Sequence, residues 1–146
     1  MVREVNYDDL QGLLELYTQL HDNPFPDVNE TLLTTWKKIV NDENHHIIVA
    51  EKNGQIVSSC VLVIIPNLTH FQRSHAVIEN VITDILFRTQ GLASACLEYA
   101  KQIAIQNNCY KIMLLTGSKQ ENTLAFYEQC GYNRNDKTAF IQWLNP

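Results

Sequence analysis

The sequence has no unbroken apolar run near the roughly 20 residues a spanning helix requires, and Glu4, Asp8 and Asp9 interrupt the start, where a signal peptide would be apolar. A cytoplasmic chain with no membrane partner is therefore expected. Cysteine is sparse. Cys60, Cys96, Cys109 and Cys130 form no C-x-x-C pair and have no histidine beside them at ligand spacing, which argues for free thiols in a reducing compartment. The histidines His45 and His46 are adjacent on a predicted strand, so their side chains point to opposite faces, and no metal site is expected. Positive charge is also short, with 11 Lys and Arg against 16 Asp and Glu for a net charge of −5. That balance opposes a phosphate backbone and removes nucleic acid as a general partner. It leaves room for a small anionic ligand, because backbone amides at a helix start bind phosphate whatever the global charge.

What is present is ordinary globular material. Apolar residues make up 45% and charged residues 18% of 146 positions, with no repeat, linker or low-complexity tract, so a single domain over residues 1–146 is expected. Val2 to Val5 can form a short strand. Asp8 then precedes Leu10, Leu13, Leu14 and Tyr17, an i, i+3, i+4, i+7 stripe that predicts a helix from about Asp9 to His21, capped by Asp8. Pro24 and Pro26 impose a loop. A second helical stripe follows at Leu32, Trp36, Ile39 and Val40, with Asn29 as its cap.

The period changes at Ile47. Two β-rich runs flank Lys52-Asn53-Gly54-Gln55, and Asn-Gly is the strongest short hairpin signal. His75 to Thr83 reads as a third strand. Arg88-Thr89-Gln90-Gly91 opens a helix carrying Leu92, Cys96, Tyr99, Ala100 and Ile103 at helical spacing, and Lys111 to Thr116 supplies another strand. A short helix from Glu121 or Asn122 to Gln129 is stopped by Gly131, and Thr138 to Trp143 is expected to be a last strand. The order implies an α+β fold with a mixed sheet.

The stretch with most chemical content runs from Ile78 to Ser94. It places a short loop and a glycine between a strand and a helix start, a junction that aims unpaired amides and partial positive charge outward. Gly91 and Ala93 are small enough to let a phosphate approach the backbone. Some thirty residues later stands Asn122-Thr123-Leu124-Ala125-Phe126-Tyr127-Glu128-Gln129-Cys130-Gly131-Tyr132.

Together these two stretches resemble the GCN5-related N-acetyltransferase (GNAT) superfamily. Arg88, Gly91 and Ala93 match its Q/R-x-x-G-x-G/A pyrophosphate loop, and the second stretch is similar to its N-x-x-A-x-x-F-Y-x-x-x-G-F/Y segment, but with Phe126-Tyr127 directly after Ala125. The look is nearest to glucosamine-phosphate N-acetyltransferases, through Ile78-Glu79-Asn80 and Asn108 to Ile112, although those enzymes usually have Glu-Asp where this chain has Glu79-Asn80.

The resemblance implies a mainly antiparallel central sheet flanked by helices, with a bulged strand that splays from its neighbour into a V-shaped cleft for acetyl-CoA. It implies that Val81, Ile82 and Thr83 meet the pantetheine and thioester, that Arg88, Thr89, Gln90, Gly91, Leu92, Ala93 and Ser94 hold the pyrophosphate, and that Asn122 and Tyr127 line the thioester end. Tyr127 is the expected acid for the leaving thiolate, since a phenol's ordinary pKa of about 10 lies near a thiol's. Glu79 is the expected base, directly or through water, on the premise that burial among Val and Ile raises its pKa. The implied acceptor is a primary amine of a small molecule. The alternatives are a protein N-terminal or lysine acetyltransferase and a non-catalytic acyl-CoA sensor. A homodimer is implied by the family and by the apolar segment Phe140-Ile141-Gln142-Trp143.

Overall fold

The computed structural model describes residues 1–21 and 23–145. The chain divides into two compact units, Met1–Leu114 and Leu115–Pro146.

The first unit is built on a five-stranded mixed sheet. Strands β1 (Val2–Glu4), β2 (His45–Lys52), β3 (Gln55–Ile65), β4 (His75–Thr83) and β5 (Ile112–Leu114) lie side by side in chain order. The first three pairings are antiparallel and β4–β5 is parallel. The predicted hairpin is present, with Asn53 at φ 50° and Gly54 at φ 77°, the two positive φ values that a type I′ turn demands.

Helix α1 spans Leu10–Tyr17, shorter than the pattern predicted, and begins differently. A one-turn 3-10 helix at Tyr7–Asp9 precedes it, and Asn6 rather than Asp8 is the cap: its side chain accepts from the Asp8 amide while Asp9 accepts from the Asn6 amide. Asn29 caps α2 (Glu30–Val40) as expected, accepting from the Leu32 amide at 3.0 Å.

Leu13, Leu16 and Trp36 of these helices pack on Ile47, Val49, Ile56, Val61 and Ile82 of the sheet. Alternate strand residues, among them Ile48, Ala50, Cys60 and Leu62, turn to the opposite face. There α3 (Leu92–Gln106) presents Cys96, Leu97, Ala100, Ile103 and Ala104. Tyr99, placed in that stripe by its spacing, is exposed. All four cysteines are free, and burial pushes the Cys60 thiol well up and the Cys96 thiol to about 11.

One piece of the link between β3 and β4 has no precedent in the sequence pattern. His70, Phe71 and Gln72 adopt left-handed φ values of 53°, 58° and 59°, and the His70 ring stacks on Tyr110 at 3.9 Å between centroids.

The second unit contains α4 (Glu121–Gln129), which ends where Gly131 takes φ 97°. Arg134 reaches back to Glu121 and Glu128. The strand predicted at Thr138 to Trp143 is not formed among the described residues. A strand exists only by pairing with a neighbour's backbone, and no described strand pairs with this segment. Among the described residues no helix is long and apolar enough to cross a membrane.

Candidate active site

Strand β4 carries the geometry from which a site can be built. Val61 faces Glu79 and Ser59 faces Ile82, so two residues of β4, Asn80 and Val81, stand where β3 supplies only Cys60. This is a bulge. Asn80 absorbs the extra length in the left-handed region at φ 50°, a conformation asparagine tolerates better than most residues. The inserted residue brings Glu79 and Ile82 to the same face of the sheet, the face against which α1 and α2 pack.

On its other edge β4 pairs with β5 only through Ala76, Val77 and Ile78. From Glu79 to Thr83 the strand continues with no β5 partner. The sheet therefore opens where the bulge begins, leaving Val81 half-buried beside an unpaired edge.

The end of β4 is tightly held. Ser58 Oγ donates to the Ile82 carbonyl at 3.1 Å and is hydrogen-bonded to Thr83 Oγ1 at 2.8 Å, while Arg88 Nε donates to the Thr83 carbonyl at 3.2 Å. Asp84 is buried, accepts from the Leu86 amide and caps the one-turn 3-10 helix Ile85–Phe87. Gln19, just past α1, accepts from the Ile85 amide at 2.9 Å.

The loop then turns through Thr89 at φ 63° and Gly91 at φ 76° into α3. The first donor of the helical ladder is Ala95, bonded to the Gly91 carbonyl at 3.0 Å. The amides ahead of it thus stand outside that ladder at the positive end of a 15-residue helix. A Cβ built on Gly91 would meet nothing within 4 Å, so the space over the loop is open to a ligand. Lys52, at the hairpin turn, donates to Gln90 Oε1.

The structure thus brings together, on one strand end and one helix start, Val81, Ile82, Thr83, Arg88, Thr89, Gln90, Gly91, Leu92, Ala93 and Ser94. Glu79 is at the bulge but exposed, so the burial expected of it is absent. Ile82 is buried against α1 and α2, which leaves its backbone rather than its side chain to meet a ligand. In the second unit, Asn122 and Tyr127 both belong to α4, five residues and hence about 140° apart around the helix, so they do not share a face. The exposed Asn122 side chain accepts from the Thr123 amide, whereas Tyr127 is half-buried, its ring edge-on to Phe126 and Tyr132. Ser58 and Lys52 carry no local sequence signal, because their partners lie 24 and 38 residues away and only the sheet register brings them close.

Residues 10–132 match the family model described as the Acetyltransferase (GNAT) family. Glucosamine 6-phosphate N-acetyltransferase of Trypanosoma brucei brucei is 32% identical over 87 residues, a match that covers 60% of this chain and only 57% of that relative. A solved structure from Agrobacterium tumefaciens str. C58, to which acetyltransferase activity is ascribed, is 36% identical with TM-score 0.90, covering 98% of this chain and 99% of that one. Glucosamine-6-phosphate N-acetyltransferase from Arabidopsis thaliana shares the fold at TM-score 0.86 and 23% identity, over 98% of that chain and 99% of this one. A bulged strand, an opened sheet and a glycine-led helix start are thus joined to a family match over most of the sequence, and the chain belongs to the GNAT family of acetyltransferases.

Proposed function

We propose that residues 1–146 act as a single domain that moves an acetyl group from acetyl-CoA to the primary amine of a small molecule, with an amino sugar as the leading acceptor class. The observation that carries this reading is the coincidence of the opened β4 edge with the helix start at Gly91, a pairing of a slot for an extended amide chain with a cradle for its phosphates. The named relatives support the amino-sugar choice.

In this reading Arg88 to Ser94 hold the pyrophosphate, with Leu92 and Ala93 contributing helix-start amides, and Val81 to Thr83 pair with the pantetheine. A backbone amide at Val81 or Ile82 stabilises the oxyanion that develops when the amine nitrogen attacks the thioester carbonyl. As the carbon–sulfur bond breaks, Tyr127 gives its phenolic proton to the leaving thiolate while the amine's proton passes to Glu79 through water. The Tyr127 phenolate then regains a proton from solvent. An exposed Glu79 suits a relay through water better than direct abstraction. Asn122 belongs to the thioester end in the same scheme. No metal is required.

The protein is proposed to work in the cytoplasm, without nucleic acid or membrane, and as a homodimer. Support for the dimer comes from Phe140, Ile141, Trp143 and Leu144, which are between 72% and 89% exposed.

The test is thiol release from acetyl-CoA with glucosamine 6-phosphate, spermidine, a free amino acid, an aminoglycoside and a peptide with a free N-terminus. Saturable release with one small amine is expected. Release with the peptide alone would make the chain a protein acetyltransferase, and binding of acetyl-CoA without release would make it a sensor.

A further inference from the structure

Acidic residues outnumber basic ones in this chain, 16 to 11, yet they are missing where β4 and β5 meet. No Asp or Glu occurs from Lys52 to Ile78 or from Tyr99 to Leu114, the stretches that supply β3, the β3–β4 connection, the start of β4 and the whole of β5. These stretches are tied together just ahead of the paired residues Ala76, Val77 and Ile78. The Tyr110 amide donates to the Ser74 carbonyl at 3.0 Å, and the Arg73 guanidinium donates through Nε and Nη2 to the carbonyls of Asn108 and Cys109 at 3.3 and 3.1 Å. The left-handed run His70, Phe71 and Gln72 returns the chain so that Arg73 reaches the residues after α3, and strain of this kind collects at ligand clamps.

Donors gather around the Tyr110 ring. His70 covers it, His75 stands edge-on at 6.1 Å between centroids, and Lys111 Nζ lies 5.3 Å from its centre. Arg73 and Lys111 are half-buried, and among the described residues neither has a carboxylate partner, whereas Arg3 and Arg134 have two each. Arg73 Nη1 makes no bond among the described residues. His75 Nδ1 is buried without a partner. A neutral His75 ring therefore carries its proton on Nε2, because at Nδ1 that proton would be buried with no acceptor. Three groups that donate and no carboxylate to receive them leave partly desolvated positive charge without compensation, which an anion supplies.

We propose that this cluster is a binding site for a phosphate group, held by Arg73 Nη1, Lys111 Nζ and His75 Nε2 beside the Tyr110 ring, and separate from the cofactor cleft. A phosphate presents three acceptor oxygens, one for each of the three side chains. His75 precedes Ile82 by seven residues of β4, roughly 20 Å of extended chain, so the site lies at the closed end of the β4–β5 pair and beyond the reach of an amino-sugar phosphate whose amine sits at the bulge. The inference goes beyond the acyl-transfer reading and does not rest on it.

The test is a titration of the full chain with inorganic phosphate at constant ionic strength, with chloride as control, followed residue by residue in NMR spectra. Saturable shifts are expected at Arg73, His75, Tyr110 and Lys111, with a Kd on the order of 1 mM. Shifts at Thr89 to Ala93 report the helix start at Gly91 and form a second, separate set. Lys111→Met keeps the aliphatic chain near Tyr110 and removes the charge, so it should weaken the first set about tenfold and leave the second within twofold, and Lys111→Arg should restore binding. A parallel titration with glucose 6-phosphate separates the sources of the phosphate: binding tighter than that of the free anion assigns the site to a phosphomonoester, and weaker binding assigns it to inorganic phosphate. The absence of a saturable shift at the cluster in the wild-type chain overturns the proposal, as does a Lys111→Met chain that binds phosphate as wild type does. Displacement of the phosphate from the cluster by acetyl-CoA also overturns it, since the anion would then belong to the cofactor cleft.

Discussion

The two units of the chain reach their order by different means. Every fully buried residue among those described lies between Leu13 and Ala104, inside Met1–Leu114, and those side chains fill both faces of one sheet. Among the described residues of Leu115–Pro146 none is buried; its helix offers half-buried Phe126 and Tyr127, and Phe140, Ile141, Trp143 and Leu144 are exposed. A segment of 32 residues cannot bury enough apolar surface alone to offset its conformational entropy. The first unit therefore carries its own reason to fold. The second carries no such core among its described residues.

The sharpest test of that contrast asks whether the unit with no core carries chemistry. Tyr127→Phe should lower turnover by roughly 10²- to 10⁴-fold while leaving acetyl-CoA affinity and melting temperature unchanged. A fall in stability comparable to a core substitution would instead make Tyr127 a packing residue and weaken the division.

Next in size is a pair of truncations, one in each unit. Leu62→Ala empties a fully buried position on β3 and should cost about 2–5 kcal/mol in denaturant unfolding. Phe140→Ala, at a position 89% exposed, should change monomer stability by less than about 0.5 kcal/mol. If Phe140→Ala lowers the sedimentation coefficient at constant concentration, the tail is covered by another copy.

A smaller effect is expected at Gly91. Valine there meets open space but must adopt φ 76°, a strain of roughly 1–2 kcal/mol for an L-residue. Calorimetry should find CoA binding weakened far more than the fold, because the added methyls would stand where a phosphate approaches. Unchanged CoA affinity in a folded Gly91→Val variant would remove the loop from the cofactor site.

The smallest prediction concerns acid. The Arg3 guanidinium, hydrogen-bonded to Asp9 at 2.7 and 3.0 Å, holds that carboxyl below its ordinary value of 3.8. Because the folded value is the lower one, the carboxylate's contribution is complete above 3.8 and is lost as pH falls through the folded value. Asp9→Asn should cost about 1 kcal/mol at neutral pH, through cap and ion pair together, and should flatten the decline in melting temperature below pH 4.

Much of the first unit was legible because its signals are local. Asn53-Gly54 dictates its hairpin through two positive φ values, the run His75 to Thr83 is bounded as β4 is, and Asn29 caps the helix that its spacing announced. Helix α1 was misread at its start because Asn6, Asp8 and Asp9 all suit a cap, and the choice among them depends on Arg3 and Glu51, which hold Asp9 and the β1 edge in place. The last strand was misread for a related reason. Thr138 to Trp143 has strand-forming residues, but a strand is a property of two segments and among the described residues no strand pairs with this one.

The same division runs through the site. From the sequence alone came the elements that depend on neighbours a few residues apart: the glycine-led helix start, the α4 segment with its Gly131 stop and the residue types fit for acyl transfer. Tertiary structure alone decided the rest. The bulge exists because β4 has one residue more than β3 between Val61–Glu79 and Ser59–Ile82, and that count appears only once the strands are paired. Glu79 is exposed, the opposite of what its run of Val and Ile implies. Burial and hydrogen bonding are set by the elements that pack across a residue, and those elements lie tens of positions away in the chain.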